Sequence, residues 1–345
     1  MFPLSVLDLS PVAAGSTGAQ ALRNSLDLAR HCDALGYTRY WCAEHHNLPS
    51  IAASAPEIMI GQIAAVTKHM RVGSGGVMLP NHAPLMVAER FKMLEALFPD
   101  RIDLGLGRAP GTDPATSYVL RRRQGISDDD DFLERFNELM LIETRGFPAG
   151  HPFHNIRAMP AETPLPPIYL LGSSDYSAQL AAHIGAAFSF AQHFATFPAD
   201  EAMRLYRENF KPSAAHTKPY AILGCALVCA DTDEEADHLA STIDLNLVRR
   251  NKGEYLPLAS PDEATAYPYS SAEQGAIARN RAKMAVGSPA TVKRQLETLI
   301  AATKADEVMV TTMLYDHAAR KLSYGLLAEV FGLERTVVPA KAGTQ

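Results

Sequence analysis

The sequence predicts an α/β fold in which eight parallel strands, each followed by a helix, close into one barrel. Short apolar, β-prone runs alternate with helical periodicities along most of the chain, a pattern that generates parallel sheets. Eight such runs lie between Phe2 and Thr312. Several release polar or glycine-rich residues at their C-terminal ends, the end at which α/β barrels assemble their sites. A doubly wound open sheet is the alternative that the same alternation allows.

Taken in order, Phe2 to Leu9 reads as a first strand stopped by Ser10-Pro11. Leu22, Leu26, Ala29, Cys32 and Leu35 then recur at helical spacing, and Gly36 closes that helix. Thr38 to Ala43 is the second strand. A helix from Pro56 to about Thr67 leads to a glycine-laden third strand, Met70 to Leu79. Pro84 suits the first turn of a helix whose Val87, Phe91, Leu94 and Phe98 share a face. Arg101 to Gly107 is strand four. The acidic run Asp128 to Asp131 opens a helix to about Arg145, as negative charge suits a helix N-terminus. The proline-rich stretch from Gly146 to Pro167 reads as irregular. Ile168 to Leu171, Ala187 to Ala191, Tyr220 to Cys229 and Glu307 to Thr312 complete the strands, separated by helices to Gly185, over 199–210, 233–248 and 289–302, and followed by one over 317–331.

These pairs predict a single (β/α)8 TIM barrel over residues 1–338, with insertions and a tail from 339 to 345. Residues 249–288 are polar and aperiodic, and so long a loop inside a compact domain points to a mobile lid.

With 345 residues, 47% of them hydrophobic and 20% charged, the chain can bury a large core. A net charge of -6 argues against a broad surface for nucleic acid or anionic lipid, and the Arg121-Arg122-Arg123 triplet reads as a solvated helix end. No basic region precedes an apolar run at the N-terminus, and no stretch approaches the ~18 apolar residues of a membrane span, so a cytoplasmic protein is expected. Cys32, Cys42, Cys225 and Cys229 form no C-x-x-C pair and read as buried thiols.

Four stretches can carry chemistry. Tyr40 to Asn47 is a strand that ends by delivering Glu44, His45 and His46, a carboxylate and two imidazoles. Zinc sites space their histidines three or four residues apart, so no metal is expected, and at least one imidazole is assigned a catalytic or ligand-facing role. Gly75 and Gly76 mark a bulge or a surface to which a flat ligand comes close, although a narrow barrel also tolerates small residues there. Gly105 to Gly111 fails the dinucleotide fingerprint because Pro110 replaces its third glycine, but Arg108 beyond a strand end can hold phosphate or form a surface ion pair. Gly172-Ser173-Ser174-Asp175-Tyr176 is a small-residue turn opening a helix; it suits a phosphate and equally an ordinary helix cap. The chain lacks a G-x-S-x-G nucleophile turn.

Together, Tyr40 to His46, Arg71 to Pro80, Arg101 to Gly111 and Ile168 to Tyr176 resemble the bacterial luciferase-like flavin monooxygenase superfamily. The resemblance covers most of the chain, is strongest over 1–113 and 167–194, recurs around Thr311 to Tyr324 and is weakest over 249–288. It implies one barrel binding reduced FMN at its C-terminal mouth. Arg108, Gly172, Ser173 and Tyr176, with the adjoining Ser174, would hold the phosphate. Gly75-Gly76 would lie beside the isoalloxazine ring, where the family often has a non-proline cis peptide. His45 would be catalytic, with Glu44 beside it. The luciferases proper place a reactive cysteine before the phosphate-binding arginine, where this chain has Gly107, so the resemblance implies a monooxygenase rather than light emission.

The resulting expectation is an FMN-dependent monooxygenase that takes reduced flavin from a separate reductase and uses dioxygen to oxygenate a small or medium apolar substrate such as an aldehyde. The cofactor carries the chemistry, and the protein positions and shields it. A deazaflavin-dependent hydride-transfer enzyme and a non-catalytic flavin-binding protein are the alternatives. A homodimer is expected from the resemblance and from the prevalence of two-fold symmetry.

Overall fold

Strand register closes the sheet. The structure, a computed structural model, describes residues 2–109, 111–121 and 131–333. Its strands are β1 (Leu4–Asp8), β2 (Arg39–Cys42), β3 (Arg71–Ser74), β4 (Val77–Met78), β5 (Ile102–Gly107), β6 (Ile168–Gly172), β7 (Ala187–Ala191), β8 (Ala221–Cys229), β9 (Met284–Gly287) and β10 (Glu307–Thr311). Eight of them, β1, β2, β3, β5, β6, β7, β8 and β10, pair in parallel around a ring that β10 completes by bonding both β8 and β1. The closed barrel predicted from the alternation is the observed fold, and the open sheet is excluded.

The helices are α1 (Gly18–Leu35), α2 (Pro56–Val66), α3 (Pro84–Leu97), α4 (Pro114–Arg121), α5 (Asp131–Thr144), α6 (Asp175–Ile184), α7 (Ala199–Glu208), α8 (Asp233–Asn251), α9 (Pro261–Ala266), α10 (Ser271–Arg281), α11 (Pro289–Thr303) and α12 (His317–Val330). Local chemistry fixes their ends. Thr17 caps α1 by accepting a bond from the Gln20 amide, and Gly36 ends it in the left-handed conformation at φ 89°. Pro56 and Pro84 each open a helix, where their missing N–H costs nothing.

Alternation along the strands sorts the core into two layers. Outward residues such as Leu4, Val6, Tyr40, Val72, Leu104, Phe188, Leu223 and Val310 pack against the helices. Inward residues Leu7, Trp41, Ala43, Tyr169, Ala187, Ile222 and Met309 fill the lumen. The N-terminal end of the lumen is plugged by charge: Arg39 binds Asp103 at 2.8 Å and Glu307 at 2.7 Å, Arg71 also pairs with Asp103, and Tyr220 donates to Glu307. Trp41 stands on this plug, donating to Asp103 at 3.0 Å. One end of the barrel is therefore sealed. The C-terminal end carries no such plug among the described residues.

Three expectations change. The third strand breaks at Gly75-Gly76, whose peptide is cis, and resumes as β4 beside β5. Helix α4 appears after the fourth strand without having been foreseen. The stretch from 249 to 288, expected as an aperiodic lid, carries the end of α8, α9, α10 and β9, the last paired with the upper part of β8. Periodicity failed there because α9 spans 6 residues and α10 buries none of its residues, so neither carries an apolar stripe. Backbone bonds stitch the stretch to the barrel: Leu258 donates to Val12 and accepts from Ala14. Residues 146–167 carry no helix or strand, as predicted. Pro110, Arg122, Arg123, Asp128 to Asp130 and residues 339–345 lie outside the described residues. All four cysteines are free and buried. No helix among the described residues is long and apolar enough to cross a membrane.

Candidate active site

Strand β2 delivers its polar residues just beyond the barrel rim. Glu44 is fully buried and is grasped from four directions: the Met78 amide at 2.8 Å, Asn81 Nδ2 at 3.1 Å, His46 Nε2 at 2.9 Å and His82 Nε2 at 2.9 Å. Burial alone would raise this carboxyl, but hydrogen bonds from His46 and His82 outweigh it and hold the group at about 2. An ionised carboxylate with both oxygens engaged is a clamp. Glu44, expected beside His45 in the chemistry, is held by bonds that pin β4 and the turn after it to the rim.

His45 differs from its neighbour. Its amide bonds to Ala53 O, yet its side-chain Nδ1 is buried and has no hydrogen-bond partner among the described residues. Burial, then the positive charge of Arg250, push the imidazole down to about 4 against the opposing pull of Glu44. His45 is neutral near pH 7, with a lone pair or an N–H to offer. His193, just past β7, is likewise lowered to about 4 by burial and lies near Gly224 O through Nδ1 at 3.4 Å.

The β5–β6 side of the rim gathers the other predicted residues. Register pairs Gly107 with Leu171, which sets Arg108 beside the turn beginning at Gly172. The Arg108 guanidinium lies over the Tyr176 ring, 4.6 Å from its centroid, an arrangement that holds the cation at the helix N-terminus. Ser174 caps α6 with Ser177 in a reciprocal box, so the cap reading of this turn is correct for Ser174. The Ser173 hydroxyl takes no part in that cap. A Cβ on Gly172 would come 2.1 Å from Ser177 Oγ, so a side chain there would break the turn.

Between the two halves lies a floor of small residues. Continuing the inward alternation from Trp41, Gly73, Gly105, Ala187, Ile222 and Met309 to the mouth gives Ala43, Gly75, Gly107, Ala191, Gly224 and Thr311. A Cβ on Gly76 would lie 2.8 Å from Gly105 O, so the kinked backbone sits tight against β5. Thr311 is 5% exposed, and its hydroxyl has no partner among the described residues. A shallow floor, two orphaned buried polar atoms and a cation over a helix N-terminus fit a flat aromatic group carrying a phosphate.

The structure thus brings together His45, Gly75, Gly76, Arg108, Gly172, Ser173, Ser174 and Tyr176 on one rim. The sequence reading missed Asn81, His82, His193 and Thr311. His82 and His193 each follow a strand end, a signal that could have found them.

A parallel barrel sealed at its N-terminal end, with polar groups gathered at its C-terminal rim, defines the class: an α/β-barrel protein. The chain belongs to the luciferase-like monooxygenase family, whose sequence profile matches residues 2–307. It is similar to a luciferase-like monooxygenase of Escherichia coli strain K12, 43% identical over 94% of this chain and 96% of the relative. The crystal structure of apo-MsnO8 matches with a TM-score of 0.88 at 38% identity, covering 97% of this chain and 99% of that one. The oxygenating constituent of 3,6-diketocamphane monooxygenase from Pseudomonas putida, solved with FMN, shares the fold with a TM-score of 0.71 at 20% identity, covering 95% and 97%.

Proposed function

We propose that this protein is an FMN-dependent monooxygenase that takes reduced FMN from a separate reductase and uses dioxygen to oxygenate a small or medium organic molecule, an aldehyde among the candidates, in the cytoplasm. The observation that carries the reading is the convergence of Arg108, the Gly172 to Tyr176 turn and His45 around the Gly75-Gly76 floor. Arg108, Ser173 and the α6 N-terminus would hold the phosphate, with Gly172 giving the backbone room and Tyr176 bracing the arginine. When bound, reduced flavin supplies the electrons and the site of oxygen activation. The chain's own part is to bind, orient and shield. His45, neutral and deprived of protein partners at Nδ1, can accept or return a proton at the reacting centre, and the buried floor keeps bulk water away.

Four exposed apolar side chains support a homodimer. Met86, Met93 and Leu97 form one stripe on α3, and Ile58 stands on the adjoining α2, with exposures of 48, 56, 68 and 65%. A self-complementary patch closes on a second copy by a two-fold axis.

The test is a titration of the purified protein with FMN, riboflavin and a deazaflavin, oxidised and reduced, followed by mixing with oxygen. Preference for FMN with oxygen-dependent product formation upholds the reading. Anaerobic hydride transfer with the deazaflavin, or tight flavin binding without turnover, replaces it.

A further inference from the structure

Met78 fills a gap that strand β5 leaves open. Register pairs Val77 with Leu106 and Met78 with Gly107. Val77 and Leu106 belong to the helix-facing core, so alternation turns Met78 and Gly107 toward the mouth. Gly107 brings no side chain to that row, and Met78 lies over it: a Cβ on Gly107 would stand 2.7 Å from Met78 Cε and 2.9 Å from its Sδ. The near end of the same side chain rests against Gly111, where a Cβ would stand 3.1 Å from Met78 Cγ and 2.8 Å from Glu44 O. The backbone is fixed too, because the Met78 amide donates to Glu44 Oε2 at 2.8 Å.

These contacts locate the thioether. It runs from beside the residue that precedes His45 to the residue that precedes Arg108, so it stands in the interval between the two halves of the site. On the other side of Gly107, register brings Leu171, a partly buried side chain packed on the lumen core. Met78 is itself partly exposed. Among the small residues of the floor, Met78 and Leu171 thus raise a stretch of apolar wall. A methionine there is unbranched and adaptable, filling the irregular space over a glycine strand. The wall offers bulk and no hydrogen bond, so what it can discriminate is girth.

We propose that Met78 is a specificity-determining residue whose thioether, seated over Gly107, sets the girth of the apolar group that can stand between Arg108 and His45. The inference rests on the monooxygenase reading only in calling that group part of a substrate.

Calorimetric titration with two neutral probes of equal carbon number, the slender n-heptanol and the broader cyclohexylmethanol, tests it on wild-type protein, M78A and M78L, each with and without FMN. The wild type should bind the slender probe about tenfold more tightly, because a packed wall resists added bulk. M78A should bring the two within about twofold by strengthening the cyclic probe, whereas M78L, close to methionine in volume, should keep the preference. M78V, which withdraws the sulfur and its methyl but keeps bulk near the backbone, carries the M78A expectation if the alanine variant does not fold. Urea denaturation reads the seat itself: G107A should lower the midpoint of the wild type more than that of M78A, since only the former has a thioether to displace. Equal binding of both probes by the wild type, an unaltered ratio in M78A, no binding of either probe, or equal G107A shifts in the two backgrounds overturns the proposal. FMN affinity measured in the same samples separates the two readings: intact FMN binding without girth preference sinks only this inference, and girth preference without FMN binding sinks only the flavin reading.

Discussion

At the scale of single residues, the site divides its labour between groups that are held and groups left unmet. Arg108 is braced on Tyr176 so that its charge faces the α6 N-terminus, where a phosphate gains both hydrogen bonds and dipole. Arg108→Ala should weaken FMN binding by about 10–100-fold, the loss of a charge-assisted bond of roughly 1.5–3 kcal/mol, and leave riboflavin binding nearly unchanged. Parallel fluorescence titrations of the two flavins check this, and equal losses would reject the phosphate assignment. His45→Ala should retain FMN yet lower product yield by about 10²–10⁴-fold, the usual worth of a positioned proton-transfer group, measured as product formed per reduced flavin consumed. The buried imidazoles also set a pH response. His45 and His193 fall to about 4 on folding from ~6.5 in an unfolded chain, so between those values the unfolded state holds more protons. Their contribution to stability is complete above the unfolded value and is lost as pH falls toward 4. Thermal midpoints recorded from pH 7 to 4.5 should therefore decline, and His193→Gln should decline less steeply than the wild type.

At the scale of elements, the break between β3 and β4 is the feature on which the site turns. A continuous strand would carry the hydrogen-bonding edge straight past the mouth. Gly75-Gly76 bends it against β5, and Glu44 then locks the far side of the bend through Met78, Asn81 and His82. Glu44→Ala would strand a buried amide, an Asn and two imidazoles. We expect a loss of about 2–4 kcal/mol in chemical denaturation, since each unmet buried polar group costs roughly 1–3 kcal/mol, together with weaker FMN binding. Undiminished stability would mean that the clamp is ornamental. The same element explains a partial success of the sequence reading. The two glycines announced a bulge or close approach, whereas the identity of the clamp needed the turn after β4 to fold back onto β2.

At the scale of the whole molecule, the barrel is asymmetric by design of its charges. The Arg39, Asp103, Glu307 and Arg71 plug closes the N-terminal end with matched ions, and losing one partner of such a buried set costs about 3–5 kcal/mol. Asp8 ties the far seam of the barrel in the same manner, binding Arg320 at 2.6 Å and accepting from Tyr40. Rigidity at one end leaves variation to the other, where the insertion from the end of α8 to β9 bonds through Leu258 to the loop after β1. The exposed stripe on α2 and α3 belongs to this scale as well. Light scattering should show a dimer for the wild type, and Met93→Glu with Leu97→Glu should shift it to monomer while leaving the circular dichroism spectrum intact. A monomeric wild type would remove the dimer from the reading.

The sequence by itself determined the eight strands, their order, the barrel that they close and the residues that crown four of its strands. These are local facts: apolar alternation, helical spacing, and glycine or proline at the ends report the backbone wherever neighbours in sequence are neighbours in space. Only the tertiary structure decided that Glu44 grips the turn after β4, and that Thr311 and His45 are left with polar atoms unmet among the described residues. Partnership in a folded core is settled between segments tens to hundreds of residues apart, and no periodicity along the chain records which buried donor finds its acceptor.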